Sequence, residues 1–478
     1  MTKTYKVTVF CWLALFLLVF ACGKKNGTKP EPPKYKWTIL GYFDGNNPQD
    51  QTPAGHSYVI HDEQELEHID STQDIQVVVM LGSFKTGGIC KYYHIQSGLD
   101  KLPDSVSSEV LKDLGNKDMS DPATLRDFIS YGVEKYPAEH YMLIVNDHTL
   151  GWKGLCSDQI NGSGNWMSLP ELSFALSGFY FDIIWFYTPS LATAEVAYQI
   201  KDRAKYMIAS QYLKYPDNIM GAAIWLPYLT DTLNPNIEAV DLARKIPEAV
   251  DSAASLISST IYFHIDAINL SKLSALATDI SNLGASLVDY AGSNWGEVWD
   301  AWDMQHHYED MDSFSVDLLG FAQQIQSSDD LDTTIKKCAL QVVNTVNAAV
   351  ISQYMFPVNF FGGISIYLPW NHDVYDSVNY AQLYFSETEW ESFLSVFIQS
   401  YSVGFAGAFD IKSTPTGAEV FLNGVDTGDT TNVFIGGLYP GAYNVTLTKT
   451  GYKDFVIVRL NLPPQETITI NATLKPVF

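Results

Sequence analysis

From Trp37 onward, short apolar runs rich in β-branched and aromatic residues alternate with stretches of helical periodicity. The runs Trp37 to Phe43, Ile75 to Leu81, Tyr141 to Val145, Ile183 to Tyr187 and Tyr206 to Ala209 each predict a strand. Thr124 to Tyr136 sets Leu125, Phe128, Ile129 and Val133 at helical spacing, and Leu191 to Ile200 predicts a second helix. Strands that are apolar along their whole length, separated by helices, imply a parallel sheet covered on both faces. In such a sheet the crevice lies beyond the carboxyl ends of the strands. His148 and Pro189 each come just after a predicted strand, so they are expected at the same edge. Residues 236 to 350 carry mainly Ala/Leu/Ile helical spacing, from Ala239 through Leu287, and predict a helical elaboration of the same α/β domain.

Two ends of the chain break this rhythm. Lys3 and Lys6 precede an apolar run, Val7 to Ala21, interrupted only by Thr8. That run is too short and wrongly flanked for a spanning helix and fits a secretory signal. Val19-Phe-Ala-Cys22 resembles a lipobox, in which the cysteine is lipidated and becomes the new N-terminus, although Phe20 is bulkier than usual there. An ordinary cleaved signal with a chance cysteine is the alternative. Gly23 to Lys34, rich in proline and lysine, then reads as a tether holding a folded body off the membrane. The expected segments are a signal at 1–21, a tether at 22–35, the α/β body at 36–405 and a second module at 407–476. The expected location is the bacterial cell envelope, at the outer membrane, through the lipid on Cys22.

Charge and cysteine content narrow the possible partners. The formal net charge is −25 and no lysine- or arginine-rich block occurs beyond the tether, which argues against nucleic acid. If Cys22 carries lipid, Cys90, Cys156 and Cys338 remain, an odd number at long spacings and no disulfide framework. One bridge or three buried thiols both remain open.

The candidate chemistry lies in two segments, Tyr141-Met-Leu-Ile-Val-Asn-Asp-His148-Thr-Leu-Gly-Trp152 and Asp182-Ile-Ile-Trp-Phe-Tyr-Thr-Pro-Ser-Leu-Ala-Thr-Ala-Glu-Val-Ala-Tyr198. Together they resemble the His and Cys halves of the site in the clostripain family of cysteine peptidases. Asp44-Gly-Asn-Asn47, Asp118 to Leu125, Val316-Asp-Leu318 and Gly363 to Pro369 match further landmarks in order. The resemblance implies a caspase-like three-layer α/β sandwich, as in clostripain and gingipains, over most of residues 37 to 400. It also implies that His148 occupies the general-base position. Aligned on Ala192, Thr193 and Glu195 to Tyr198, the family's nucleophilic cysteine falls on Pro189. The aspartate that receives a basic P1 side chain falls on Tyr187, and the glycine after the histidine falls on Thr149.

A Cys/His peptidase needs a thiolate made by the neighbouring imidazole and backbone donors for the oxyanion. Pro189 supplies neither a nucleophile nor an N–H. Ser190 is the one substitute, activated by His148 in a Ser/His arrangement, but Thr188-Pro189-Ser190 reads as a helix start, with Thr188 as N-cap and Pro189 at the first helical position. The expected protein is therefore a peptidase homologue that binds a peptide, a protein or a cell-surface glycan without cleaving it. An active hydrolase using His148 with Ser190 or another nucleophile is the alternative. Calcium enters only through the resemblance, since clostripain is associated with it, and no ligand positions map here. The cluster Asp300, Asp303, His306, His307, Glu309, Asp310, Asp312 matches no zinc spacing and reads as a solvated acidic face.

The second module begins near Gly407. Phe409 to Gly424, Thr427 to Thr431, Leu438-Tyr-Pro-Gly441 and Gly451-Tyr452 resemble a PEGA domain. Alternation at Glu419 to Leu422 and Tyr443 to Thr448, with Gly, Asn or Pro between runs, separately predicts a small antiparallel β-sandwich.

Overall fold

A computed structural model describes residues 35–477 except 68–70, 73, 98–101, 213–219, 231–235, 258–262, 292–293, 306, 309–313, 357–361, 405, 439–440 and 464–465. The signal, Cys22 and most of the tether lie outside the described residues. Nine strands form one sheet: β1 (Tyr35–Gly45), β2 (Ile75–Ser83), β3 (Ile89–His94), β4 (Glu109–Asn116), β5 (Ala138–Asn146), β6 (Phe181–Phe186), β7 (Ala204–Ala209), β8 (Phe263–Asn269) and β9 (Val350–Phe356), in the order β9-β8-β7-β6-β5-β1-β2-β3-β4. The five strands predicted from the sequence form the parallel centre, β2-β1-β5-β6-β7.

The sheet is not parallel throughout. β3 and β4 extend one side and β8 and β9 the other, all antiparallel, so the sheet is mixed. Residues 236–350 are mainly helical as expected, but they also contain a strand the pattern did not predict, β8, between the helices Ala239–Ile257 and Leu273–Tyr290. Phe263 to Asn269 contains His264, Asp266 and Asn269 among its apolar residues, which disguised a strand buried on both faces.

Alternate residues of the central strands feed two separate cores, which explains the unbroken apolar runs. Leu40, Val78, Leu143, Ile184 and Met207 face helices that include Pro122–Lys135, Ala194–Ile200 and Leu273–Tyr290. Ile39, Val79, Ile144, Ile183 and Ile208 face the helices Tyr58–Leu66 and Ala239–Ile257 on the other side. The helix Pro122–Lys135 begins on Asp121, whose carboxylate accepts from the Ala123 N–H, with proline in the first turn where no donor is lost. Gly132 lets this helix approach β1: a Cβ there would lie 2.4 Å from Leu40 Cδ2. Gly132→Ala is therefore expected to lower the urea midpoint, by an amount equivalent to about 1–3 kcal/mol of overpacking. A midpoint equal to or above wild type would show that the helix does not sit this close.

The C-terminal module, from Gly407, forms two sheets around Phe409, Ile411, Val420, Val445 and Leu447. One has four antiparallel strands, in the order Val425–Thr430, Glu419–Leu422, Gly441–Thr448, Phe455–Leu462. The other corrects the purely antiparallel expectation, because Gly407–Thr414 pairs in parallel with Thr467–Thr473. Among the described residues no helix is long and apolar enough to cross a membrane.

Candidate functional site

β5 and β6 are parallel neighbours, with Val145 opposite Phe186, so the loops that follow them emerge together at the carboxyl edge of the sheet. His148 lies on the first loop and Pro189 on the second, as the strand order in the sequence implied. His148 is half-buried. Its backbone is held by a tight hairpin in which the His148 carbonyl accepts from the Cys156 N–H (3.3 Å) and the Gly154 carbonyl from the Leu150 N–H (2.8 Å). Asp147 anchors the loop from below, accepting from Asn47 Nδ2 at 2.9 Å and from the Ser157 N–H at 2.6 Å. Thr149 is buried and its hydroxyl donates to the Gly154 carbonyl at 2.8 Å, so it braces its own hairpin.

The second loop does not start a helix. The helix begins at Ala194, capped by the Thr193 hydroxyl, which accepts from the Val196 N–H at 3.1 Å. The expected cap at Thr188, with Pro189 as first helical residue, is thus corrected: the Thr188 hydroxyl donates to the Pro189 carbonyl at 3.3 Å, and residues 188–190 make a turn. A β-branched N-cap followed by Glu195 in the first turn competed successfully with the proline signal. Ser190 takes a left-handed backbone, φ 50°, and its N–H donates to the Tyr212 carbonyl at 3.0 Å. Pro189 and Ser190 are both buried. Among the described residues no hydrogen bond joins the Ser190 hydroxyl to the His148 ring. Tyr187 is buried too, edge-on to Trp185 with ring centroids 5.2 Å apart.

This turn is clamped from several sides. The Ala192 N–H donates to the Ser210 carbonyl and the Ser365 N–H to the Ala192 carbonyl, tying it to the end of β7 and to the strand Ser365–Tyr367. Glu195, fully buried, accepts from the Tyr367 N–H at 3.0 Å and the Tyr380 hydroxyl at 3.2 Å. Burial lifts its carboxyl to about 7 against those hydrogen bonds. A buried network that sequence reading missed lies on β8 and beyond: His264 Nδ1 is 2.9 Å from Asp266 Oδ2, and Gln211 Nε2 donates to Asp317 Oδ2 at 3.0 Å. The Gly363 N–H in turn donates to Gln211 Oε1 at 2.9 Å. Its signal in the sequence was slight, four polar residues spread over 106 positions with only Asp317 inside a recognised landmark.

Cys90, Cys156 and Cys338 are free thiols, the first two buried. Of the acidic cluster, Asp300 and Asp303 lie exposed on the helix Trp295–Asp303, with partial desolvation raising both carboxyls. His306, Glu309, Asp310 and Asp312 fall outside the described residues; of His307 only the backbone, in the short strand His307–Tyr308, is described.

A mixed sheet with a parallel centre, helices on both faces, and a histidine loop beside a second loop at the carboxyl edge defines the caspase-type α/β class. The sequence model of the clostripain family matches residues 44–398, and the chain belongs to that family. Residues 407–477 match the PEGA domain. A secreted C11 cysteine protease from Bacteroides thetaiotaomicron, in complex with an irreversible peptide inhibitor, is similar in fold at TM-score 0.56 and 22% identity, over 76% of this chain and 99% of that one. An inactive zymogen C11 protease from Parabacteroides distasonis is similar at TM-score 0.56 and 20% identity, over 76% and 99% of the two chains. No curated protein sequence matches the chain.

Proposed function

We propose that this is an exported, lipid-anchored envelope protein whose clostripain-type domain has lost peptidase activity and works by binding. The observation that carries this reading is the second loop. Where the family places a nucleophilic cysteine, Pro189 presents a ring without a nucleophilic atom or an N–H, buried in a turn pinned at both ends. The adjacent hydroxyl of Ser190 is also buried, on a backbone of left-handed φ, and makes no hydrogen bond to the imidazole that would have to activate it. Tyr187, packed on Trp185, replaces the carboxylate of a basic P1 pocket with an aromatic ring. The retained crevice then suits a peptide, a protein segment or a glycan held without covalent chemistry, with the PEGA module as a second contact surface.

Purified protein is expected to release no product from a broad peptide library and to take up no label from thiol- or serine-directed activity probes. His148→Ala and Ser190→Ala are expected to leave both results unchanged. Turnover at an ordinary enzymatic rate that disappears in either variant would overturn the reading. The lipid anchor is tested separately: mass analysis of the mature N-terminus is expected to show acylated Cys22, and an unmodified N-terminus elsewhere would remove that part of the proposal.

A further inference from the structure

Beneath the histidine loop lies a set of groups that the binding proposal does not use. Phe43 pairs with Asn146, so Asp44 and Asp147, the next residues along β1 and past β5, sit side by side at the carboxyl edge. Cys156, from the hairpin after His148, completes a triangle: the carboxylate oxygens of Asp44 and Asp147 and the Cys156 sulfur lie within 4.8 Å of one another, all buried. Among the described residues neither carboxyl forms an ion pair. The charged groups acting most strongly on this trio are the trio itself and Asp158, Asp118 and Asp50, all acidic. Two buried carboxyls and a thiol facing one another without a basic side chain are costly unless protons or a cation intervene.

The hydrogen bonds point to a missing positive partner. Asp44 Oδ1 accepts from the Asn46 N–H at 3.1 Å, while Asp44 Oδ2 is buried with no hydrogen-bond partner. Asn47, which donates to Asp147 Oδ1 at 2.9 Å, leaves its own Oδ1 buried and equally without a partner. Three donor atoms, two of oxygen and one of sulfur, therefore converge on one enclosed place, beside the buried Asn47 amide that donates to Asp147.

We propose that Asp44, Asp147 and Cys156 form a structural site for a divalent transition-metal ion, zinc being the best chemical match. A small buried donor set that includes a thiolate suits zinc. Calcium needs six to eight oxygens and magnesium keeps several waters, neither of which suits a buried niche whose donors include a sulfur. Binding would displace the Cys156 proton and any proton held between the two carboxyls, so uptake releases protons to solvent. The ion would tie the end of β1 to the loop that carries His148.

The test uses the full-length protein, stripped with a chelator and then exposed to zinc, cobalt or calcium. About one equivalent of zinc is expected to bind and to raise the thermal midpoint. Cobalt is expected to give a sulfur-to-metal charge-transfer band in the near ultraviolet, a signature that needs no variant. Asp44→Asn and Cys156→Ser, both close in size to the native side chains, are each expected to weaken zinc affinity by about tenfold or more. Wild type that binds neither zinc nor cobalt overturns the proposal, and so does zinc binding that is indifferent to both variants. A midpoint raised by calcium and unaffected by Cys156→Ser would overturn the thiolate-containing site as well.

Discussion

Trp152→Ala is expected to cost about 3–5 kcal/mol of folding stability, the range for emptying a buried aromatic site. Trp152 is fully buried, with its ring centroid 4.7 Å from that of Tyr367 and 5.2 Å, edge-on, from that of Tyr380. It packs the hairpin that carries His148 against the segment that receives Glu195, since Tyr367 and Tyr380 also supply the hydrogen bonds to that carboxyl. Truncation therefore opens a cavity and loosens two partners of a buried acid. Urea unfolding of the variant beside Val378→Ala, a site 74% exposed, provides the comparison. The exposed substitution is expected to stay within about 0.5 kcal/mol of wild type. A Trp152→Ala loss below about 1 kcal/mol would mean that the hairpin is not packed as described.

The protein is also expected to be more stable near pH 5 than near pH 8. Burial raises the Asp50 carboxyl to about 6 from an ordinary 3.8, and the Glu195 carboxyl to about 7 from 4.5. A carboxyl raised in the folded state binds protons there that the unfolded chain has already released, so stability falls with rising pH between the two values. The contribution is fully present below about pH 4 and is lost by about pH 7, at about 3 kcal/mol per group. Asp266, raised to about 6 by burial and opposed by His264, adds to the same slope. Glu195 Oε2 has no hydrogen-bond partner, so the ionised form is poorly solvated. Glu195→Gln is expected to flatten the fall between about pH 4.5 and 7, read as thermal midpoint against pH. A wild-type midpoint that rises over this window, or a variant with an unchanged slope, would contradict these assignments.

The parts of the fold legible in the sequence were those set by local pattern. The central strands are apolar on both faces because Leu40 and Ile39, or Leu143 and Ile144, feed opposite cores, and that leaves an unbroken run. The helix Pro122–Lys135 has both its stripe and its cap in the sequence. β8 was hidden by His264 and Asp266, polar residues buried through partners far away in the chain. The helix start at Thr193 was hidden because Thr188-Pro189 carries an equally good local signal. Choosing between them depended on Ala192 and Ser190 reaching the carbonyls of Ser210 and Tyr212.

By itself the sequence determined the α/β rhythm, the boundary near Gly407, and the two segments around His148 and Pro189 that resemble the family's site, because these depend on residue identity and short-range spacing. Only the tertiary structure decided that Asp44, Asp147 and Cys156 share one buried niche. It also decided that Ser190 is buried in a turn with a left-handed backbone, and that Glu195 is enclosed by Tyr367 and Tyr380. Those facts come from the register of parallel strands and from contacts spanning more than a hundred residues, which no local pattern records.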